Sequence, residues 1–474
     1  MKRNILALAL AAALILGGCA GEVTPSAAAA SVASGTEITA AGTYRLTGSL
    51  DSCVIVDAED QNVTLILDNV QISSPDSAAI WIQHAKAVTI QLVGSSTLTG
   101  GTGDGQDEKA DGVIYAKSDL TLTGSGTLTV TGEEKGIVCK GALTVDSGTY
   151  QVDSGEHCIT AKDSASISGG TLILSGSEDG IHVKNSDDTA LGNLTVTGGE
   201  IQTDVQGDAI SATGNITIRG GTFSLVTGGG SANAEPKTVG FGFPGQSQKQ
   251  SSDDTSRKGI KADGTITVTG GTFTLDTVDD GFHAAGDITL EDGEFTISTG
   301  DDAIHSDENV VINGGTYSIP VCYEGIEGIT VTVNGGTLDI VSSDDGLNAA
   351  DGSGTNTLGN PNSANIITVN GGTVTIVADG DCLDSNGDIL LTGGTLKLTC
   401  NGNGNTAIDC DGNYENTGAD LTTNDGSENN SGGMPGGMGN PGGFGGMGGP
   451  GGGRPEGTPP QGGNAPGSGT GENA

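Results

Sequence analysis

Acidic residues recur at turn positions as Glu178-Asp179, Asp279-Asp280, Asp301-Asp302 and Asp344-Asp345, with Glu156, Asp208, Glu324 and Asp381 at equivalent places. Asp280 and Asp302 stand 22 residues apart. If residues one such beat apart stack at the ~4.8 Å spacing of neighbouring strands, their carboxylates form a column. Like charges so close repel strongly wherever water is excluded. Calcium takes carboxylate oxygens at ~2.3–2.6 Å, so one ion fits between two stacked oxygens. Glu178, Asp179, Asp279, Asp280, Asp301, Asp302, Asp344 and Asp345 are therefore candidate Ca2+ ligands. A plainer reading stands beside this one, because Asp-Gly shapes turns for backbone reasons and exposed acids are simply solvated.

A second set is basic. Lys117, Lys140, Lys162 and Lys184 each follow an apolar residue by three positions, at steps of 23, 22 and 22, and Lys258 and Lys261 fall on a later beat. Stacked in a row, Lys140, Lys162 and Lys184 could meet the carboxylates of a linear acidic sugar chain, or merely offset nearby acids as weak surface ion pairs. His182, His283 and His305 each directly follow an apolar residue. His283 and His305 are candidates to hydrogen-bond sugar hydroxyls, and equally to cap the acidic turns. No Ser/His/Asp or Cys/His nucleophile set stands out, so no catalytic residue is assigned.

These columns exist only if the chain folds as a repeat. The apolar residue after the acidic turn falls at Ile137, Ile159, Ile181, Ile210, Ile260, Phe282, Ile304, Ile326, Leu347, Leu383 and Ile408, with a basic step of 22 residues lengthened by insertions. Gly-Gly-Thr or Gly-Gly-Glu turns keep the same beat at Gly170, Gly199, Gly221, Gly271, Gly315, Gly336, Gly372 and Gly394. Each period holds three short alternating stretches separated by Gly or Asp, which read as three strands. The expected fold is all-β, a parallel β-helix of about a dozen coils of ~22 residues, right-handed by the usual crossover rule. A leucine-rich repeat shares the period but needs a leucine consensus absent here.

Composition agrees. Glycine is abundant (85 residues), aromatics make up 3%, and 59 acidic against 18 basic residues give a net charge of −41. Such a surface disfavours nucleic acid and anionic membranes and suits cations, or an anionic ligand bridged by them. Residues 1–19 read as an export signal: Lys2 and Arg3, the apolar run Ile5 to Leu16, then Leu16-Gly17-Gly18-Cys19. That ending resembles the bacterial lipoprotein box, which implies lipidation of Cys19. Residues 20–35 read as a tether, 36–425 as the β-helix with a long insertion at 228–257 and a second at Asp351 to Ala364, and 426–474 as a disordered Gly/Pro/Met-rich tail. The remaining seven cysteines, with no C-x-x-C pair, read as small apolar fillers. Bridges between Cys139 and Cys158, or Cys382 and Cys410, are the alternative. The only tryptophan, Trp81, reads as core or cap, and flat aromatic sugar platforms are absent.

In combination, Glu178-Asp179-Gly180-Ile181-His182, Asp279-Asp280-Gly281-Phe282-His283-Ala284, Lys258-Gly259-Ile260-Lys261-Ala262 after a Ser/Gly-rich insertion, the Gly-Gly-Thr turns and the Gly/Met/Pro tail resemble the clostridial-type carbohydrate-binding lipoproteins with a polysaccharide-lyase-like β-helix. The resemblance implies calcium on the helix and binding of polysaccharides, notably polygalacturonate-like acidic ones, without established cleavage. The expectation is thus a monomeric carbohydrate-binding protein, held by lipid on the outer face of the cell membrane, with no nucleic-acid partner. A calcium-dependent polysaccharide lyase, with Lys184 as base, and a structural surface adhesin are the alternatives.

Overall fold

The computed structural model describes residues 29–101, 110–237, 255–350 and 364–429. The export signal with Cys19, the tail from residue 430, and most of both insertions lie outside the described residues. Among the described residues the first strand is Ala30–Ser31, which pairs with Tyr44 and Arg45, so the end of the segment read as tether belongs to the stack.

One coil shows the pattern. Ile304–Ser306 is a short strand, Asn309–Ile312 a middle strand and Thr316–Cys322 a long one. Each pairs parallel with its counterpart in the next coil: Ile304 with Ile326, Val310 with Val331, Tyr317 with Leu338. Among the described residues repetition builds a sheet of 15 short strands and a larger sheet of 29 strands, mostly middle and long ones. The two series in the larger sheet join near the N-terminus, where Asn62–Ser74 runs through a corner and pairs with both Ala87–Val93 and Ser95–Gly100. The stack exceeds the dozen coils expected because the loosely spaced N-terminal segment contributes Glu37–Ile38, Val54–Asp57, Ile80–His84 and Gly112–Ala116 as full short strands. The protein is a three-faced parallel β-helix.

Side-chain alternation fills the bore. In Thr316–Cys322 the residues Tyr317 and Ile319 are buried while Thr316 and Ser318 are exposed, as the two-residue period of a strand requires. Turning from the middle to the long strand needs left-handed backbone, and Gly315 and Gly336 supply it at φ 96° and 92°, where glycine alone pays no Cβ penalty. Equal steps stack like on like. Phe223, Phe273, Phe295 and Tyr317 lie face to face inside the long-strand wall, with ring centroids 4.6, 4.8 and 4.5 Å apart. This aromatic ladder escapes a composition count, since 3% aromatics is little until it is placed in one column.

All seven described cysteines are free thiols, so neither alternative bridge forms. Burial pushes Cys139 and Cys158 up to about 11, which suits apolar filler rather than reactive thiolate. Trp81 is buried, but in a satellite cluster with Ala78, Tyr115 and Val138 rather than in the bore. It lies on the outer side of the short strands, in register with Tyr115.

Replacing Phe295 by alanine should remove the middle of the aromatic ladder and cost about 3–5 kcal/mol in denaturant unfolding. Thr296→Ala, on the exposed side of the same strand, should stay within about 0.5 kcal/mol.

Candidate functional site

A short strand of three residues offers one outward side chain, its middle residue, between two inward ones. In Phe282–Ala284 and Ile304–Ser306 that residue is His283 and His305. In-register pairing sets the outward residues in one column: Thr160, His182, Ser211, Lys261, His283, His305, Glu327, Asn348, Asp384 and Asp409. A second column occupies the turn before each strand, where backbone hydrogen bonds step from His157 to Asp179, Asp208, Lys258, Asp280, Asp302, Glu324, Asp345 and Asp381. The third lies just after the strand, where Lys140, Lys162 and Lys184 each donate a backbone N–H to the coil before.

The first two columns meet across the turn, so acids and bases interleave. His283 Nδ1 lies 2.9 Å from Asp280 Oδ2, and His305 Nδ1 lies 2.9 Å from Asp302 Oδ2 and 3.0 Å from Glu327 Oε2. Lys258 pairs with Asp280 and Lys237 with Asp301. Asp279 accepts the Arg257 backbone N–H at 2.8 Å. Burial opposes charge on His305, yet hydrogen bonds to Asp302 and Glu327 outweigh it and push the imidazole up to about 11. The columns expected as separate acidic and basic ladders are thus one mixed network in the middle of the face, with His283 and His305 turned to the acidic turns.

Toward the N-terminus the face turns basic. Lys140 and Lys184 are exposed and Lys162 is partly so. Lys140 lies 5.4 Å from the Tyr115 ring centroid, and Lys162 pairs with the exposed Asp187 at 2.7 Å. At the end of this row opens a cavity of about 430 Å³, lined by His157, Glu178, Asp179, His182, Lys184, Asp208, Ser211, Thr213, Ser256 and Lys261 among others. Its floor is hydrogen-bonded: His182 Nδ1 and Ser211 Oγ lie 2.6 and 2.7 Å from Asp179 Oδ2, and Asp179 Oδ1 accepts the Asp208 N–H at 2.9 Å. The His157 and His182 rings stack at 4.3 Å. Burial and the His182 neighbour push His157 down to about 4, so it is neutral, and its Nε2 sits 2.9 Å from Glu178. Such a cavity offers donors and acceptors to a polar ring the size of a sugar.

Toward the C-terminus the face turns acidic. Oxygens of Asp345, Asp381 and Asp384 lie within 4.8 Å of one another, and Asp344 sits beside Asp345 in the turn. Among the described residues no basic side chain pairs with these three. Burial, reinforced by neighbouring carboxylates, pushes Asp345 up to about 7 and Asp381 up to about 6, and holds Asp384 well above the usual carboxylate range. In the coil before, burial and Asp302 push Glu324 up to about 10. Asn348, in register with Asp384, donates to Glu324 at 2.9 Å while its own Oδ1 is buried without a partner. Crowded oxygen donors, a carbonyl oxygen lacking a donor and no ammonium are what a hard divalent cation requires. The residues present fit calcium.

Three parts of this site lie outside the sequence-based candidates: His157, Asp384 with Asp409, and Glu327. Each carried a signal. His157 stands two residues before Ile159 as Asp179 does before Ile181, and Glu327, Asp384 and Asp409 follow Ile326, Leu383 and Ile408 as His305 follows Ile304.

The family match agrees with a carbohydrate role. The family described as carbohydrate-binding domain-containing protein matches residues 33–303 and 301–433. A protein of the same description from Acetivibrio thermocellus is 35% identical over 102 residues, covering 20% of this chain and 36% of that relative, so the match spans little more than a third of its length. Among solved structures, a polysaccharide lyase-like protein from C. thermocellum, studied as a gadolinium derivative, is similar with a TM-score of 0.41 and 26% identity over 49% of this chain and 86% of that one.

The raised carboxylates give stability a definite pH dependence. A carboxyl whose folded pKa exceeds its unfolded value stabilises the fold while protonated, and that contribution is lost as pH rises through the folded pKa. For Asp345 and Asp381 the loss runs from about pH 4 to about 7. His157 acts oppositely over part of this range, but the raised acids outnumber it. In chelator, the melting temperature should therefore fall by several degrees between pH 5 and pH 7.5. Calcium should restore it at pH 7.5 and change little at pH 5. A chelated protein that melts no lower at pH 7.5 would refute the assignment.

Proposed function

The chain belongs to the family of carbohydrate-binding domain-containing proteins, and we propose that it binds an acidic polysaccharide along its short-strand face with the help of calcium. One observation carries this reading: the same face presents, in order along the axis, the row Lys140–Lys162–Lys184, the sugar-sized cavity, and the lysine-free cluster Asp345–Asp381–Asp384. A linear glycan lying along the axis meets a new coil every ~4.8 Å, roughly one pyranose unit per coil. Its carboxylates would pair directly with the lysines at the basic end. At the acidic end they would be repelled unless a cation lay between, and calcium held by Asp345, Asp381 and Asp384 supplies that bridge. Lys184, Ser211, Thr213 and His182 would hold one sugar ring in the cavity. Charge rather than aromatic stacking governs this grip, so a soluble or gel-like polyuronate such as pectin is the preferred ligand.

In this reading the protein is a monomer on the outer face of the bacterial membrane. Lipid on Cys19 anchors it. A second reading, a calcium-dependent lyase, draws on the position of Lys184 at the cavity beside Asp179 and Asp208.

Affinity electrophoresis separates these outcomes. Polygalacturonate in the gel should retard the protein, neutral galactan should not, and chelator should weaken the retardation. The triple variant Lys140→Glu, Lys162→Glu, Lys184→Glu should lose at least about tenfold in affinity, roughly 1.4 kcal/mol, with an unchanged melting curve. Equal retention of the variant would refute the lysine row. Growth of ultraviolet absorbance from unsaturated product, abolished by Lys184→Ala, would replace binding with lyase chemistry.

A further inference from the structure

Between the basic and acidic ends of the face, oxygens of Asp280, Asp301 and Asp302 lie within 4.8 Å of one another. Here two ammonium groups are already in place. Lys258 bonds Asp280, and its position is fixed by the fold, since it precedes the short strand Ile260–Ala262 and its backbone N–H donates to Asp208 at 2.7 Å. Lys237 is different. It arrives from outside the repeat, on a strap that leaves the long strand Thr222–Thr227, passes Gly228, Gly229 and Gly230 in left-handed backbone and turns at Ser231–Asn233. The strap is pinned on the way by the Gly228 N–H on the Val205 carbonyl at 2.8 Å and the Ser231 N–H on Asp276 Oδ1 at 2.7 Å. Its lysine then bonds Asp301, 64 residues further along the chain, and the ammonium lies 4.5 Å from the Tyr323 ring centroid.

The lysine does not complete the site. Asp302 is 5% exposed, its Oδ2 is held by His305, and its Oδ1 is buried with no partner. A buried carboxylate oxygen without a donor is costly. An ammonium has three protons to give, whereas calcium collects six to eight oxygens and would reach the one that Lys237 leaves alone. The geometry points to Lys237 as a tethered counter-ion standing in a divalent-cation position, so that the strap and a calcium ion compete for Asp280, Asp301 and Asp302. At low calcium the ammonium holds the strap against the short-strand face. At high calcium the ion displaces it and satisfies Asp302. This goes beyond the proposed glycan binding, because it concerns a different trio of acids and makes no use of the sugar.

Counting bound ions tests it. Equilibrium dialysis with calcium would compare the full chain with Lys237→Gln, Lys237→Arg and Lys237→Gln/Asp302→Asn. Lys237→Gln should bind one ion more per chain than the wild type at low free calcium. Lys237→Arg, which keeps the tethered charge, should match the wild type, and the double variant should return to the wild-type count. The wild type should acquire the extra ion only at higher calcium. An unchanged count in Lys237→Gln, or an extra ion that survives Asp302→Asn, would overturn the proposal. Asp384→Asn removes the C-terminal cluster separately, so failure of one cation site leaves the other readable.

Discussion

Parallel, in-register hydrogen bonding between successive coils is the constraint on which everything else in this molecule rests. It fixes the vertical step at the strand spacing of ~4.8 Å and admits no slip, because a one-residue shift would turn every inward side chain outward. Inside the bore the same step is close to the contact distance of stacked rings, which is why Phe223, Phe273, Phe295 and Tyr317 form a ladder with centroids 4.5 to 4.8 Å apart. Outside, it forces charges of equivalent residues nearer than water-screened charges would choose.

How the outer face resolves that crowding varies along the axis. At the basic end, exposed lysines keep their charge in solvent. In the middle, histidines and lysines sit against carboxylates of their own column and of the neighbouring one: His283 on Asp280, His305 on Asp302 and Glu327, Lys258 on Asp280. At the acidic end no such partner is built in among the described residues, and burial beside other carboxylates makes Asp345, Asp381 and Asp384 hold protons more tightly than usual, as it does for buried Asp302 in the middle. One backbone geometry thus yields three electrostatic regimes, distinguished by which side chains occupy the turn before the short strand, its single outward position and the position just after it.

Much of this is legible in the amino-acid sequence. Every coil must solve the same closure problem with the same number of residues, so the beat of Gly-Gly-Thr turns and inward isoleucines announces the solenoid, and a 22-residue offset announces vertical neighbours such as Asp280 and Asp302 or Lys162 and Lys184. The mixing of columns was less legible. Asp302 and His305 are three residues apart and belong to different positions of the repeat, so a reading by offset separates them. Only the tight turn between them brings Nδ1 to within 2.9 Å of the carboxylate.

The sequence by itself therefore determined the repeat, the three strands per coil and which residues stack one beat apart, because these depend on periodic spacing that any parallel stack must obey. The tertiary structure alone decided which columns touch, which acids are neutralised and where a cavity opens. Those outcomes depend on the angle of each turn and on insertions that do not share the period. Lys237 is the clearest case: it lies 64 residues from Asp301, at no multiple of the beat, and reaches it only because a strap folds back across the coils.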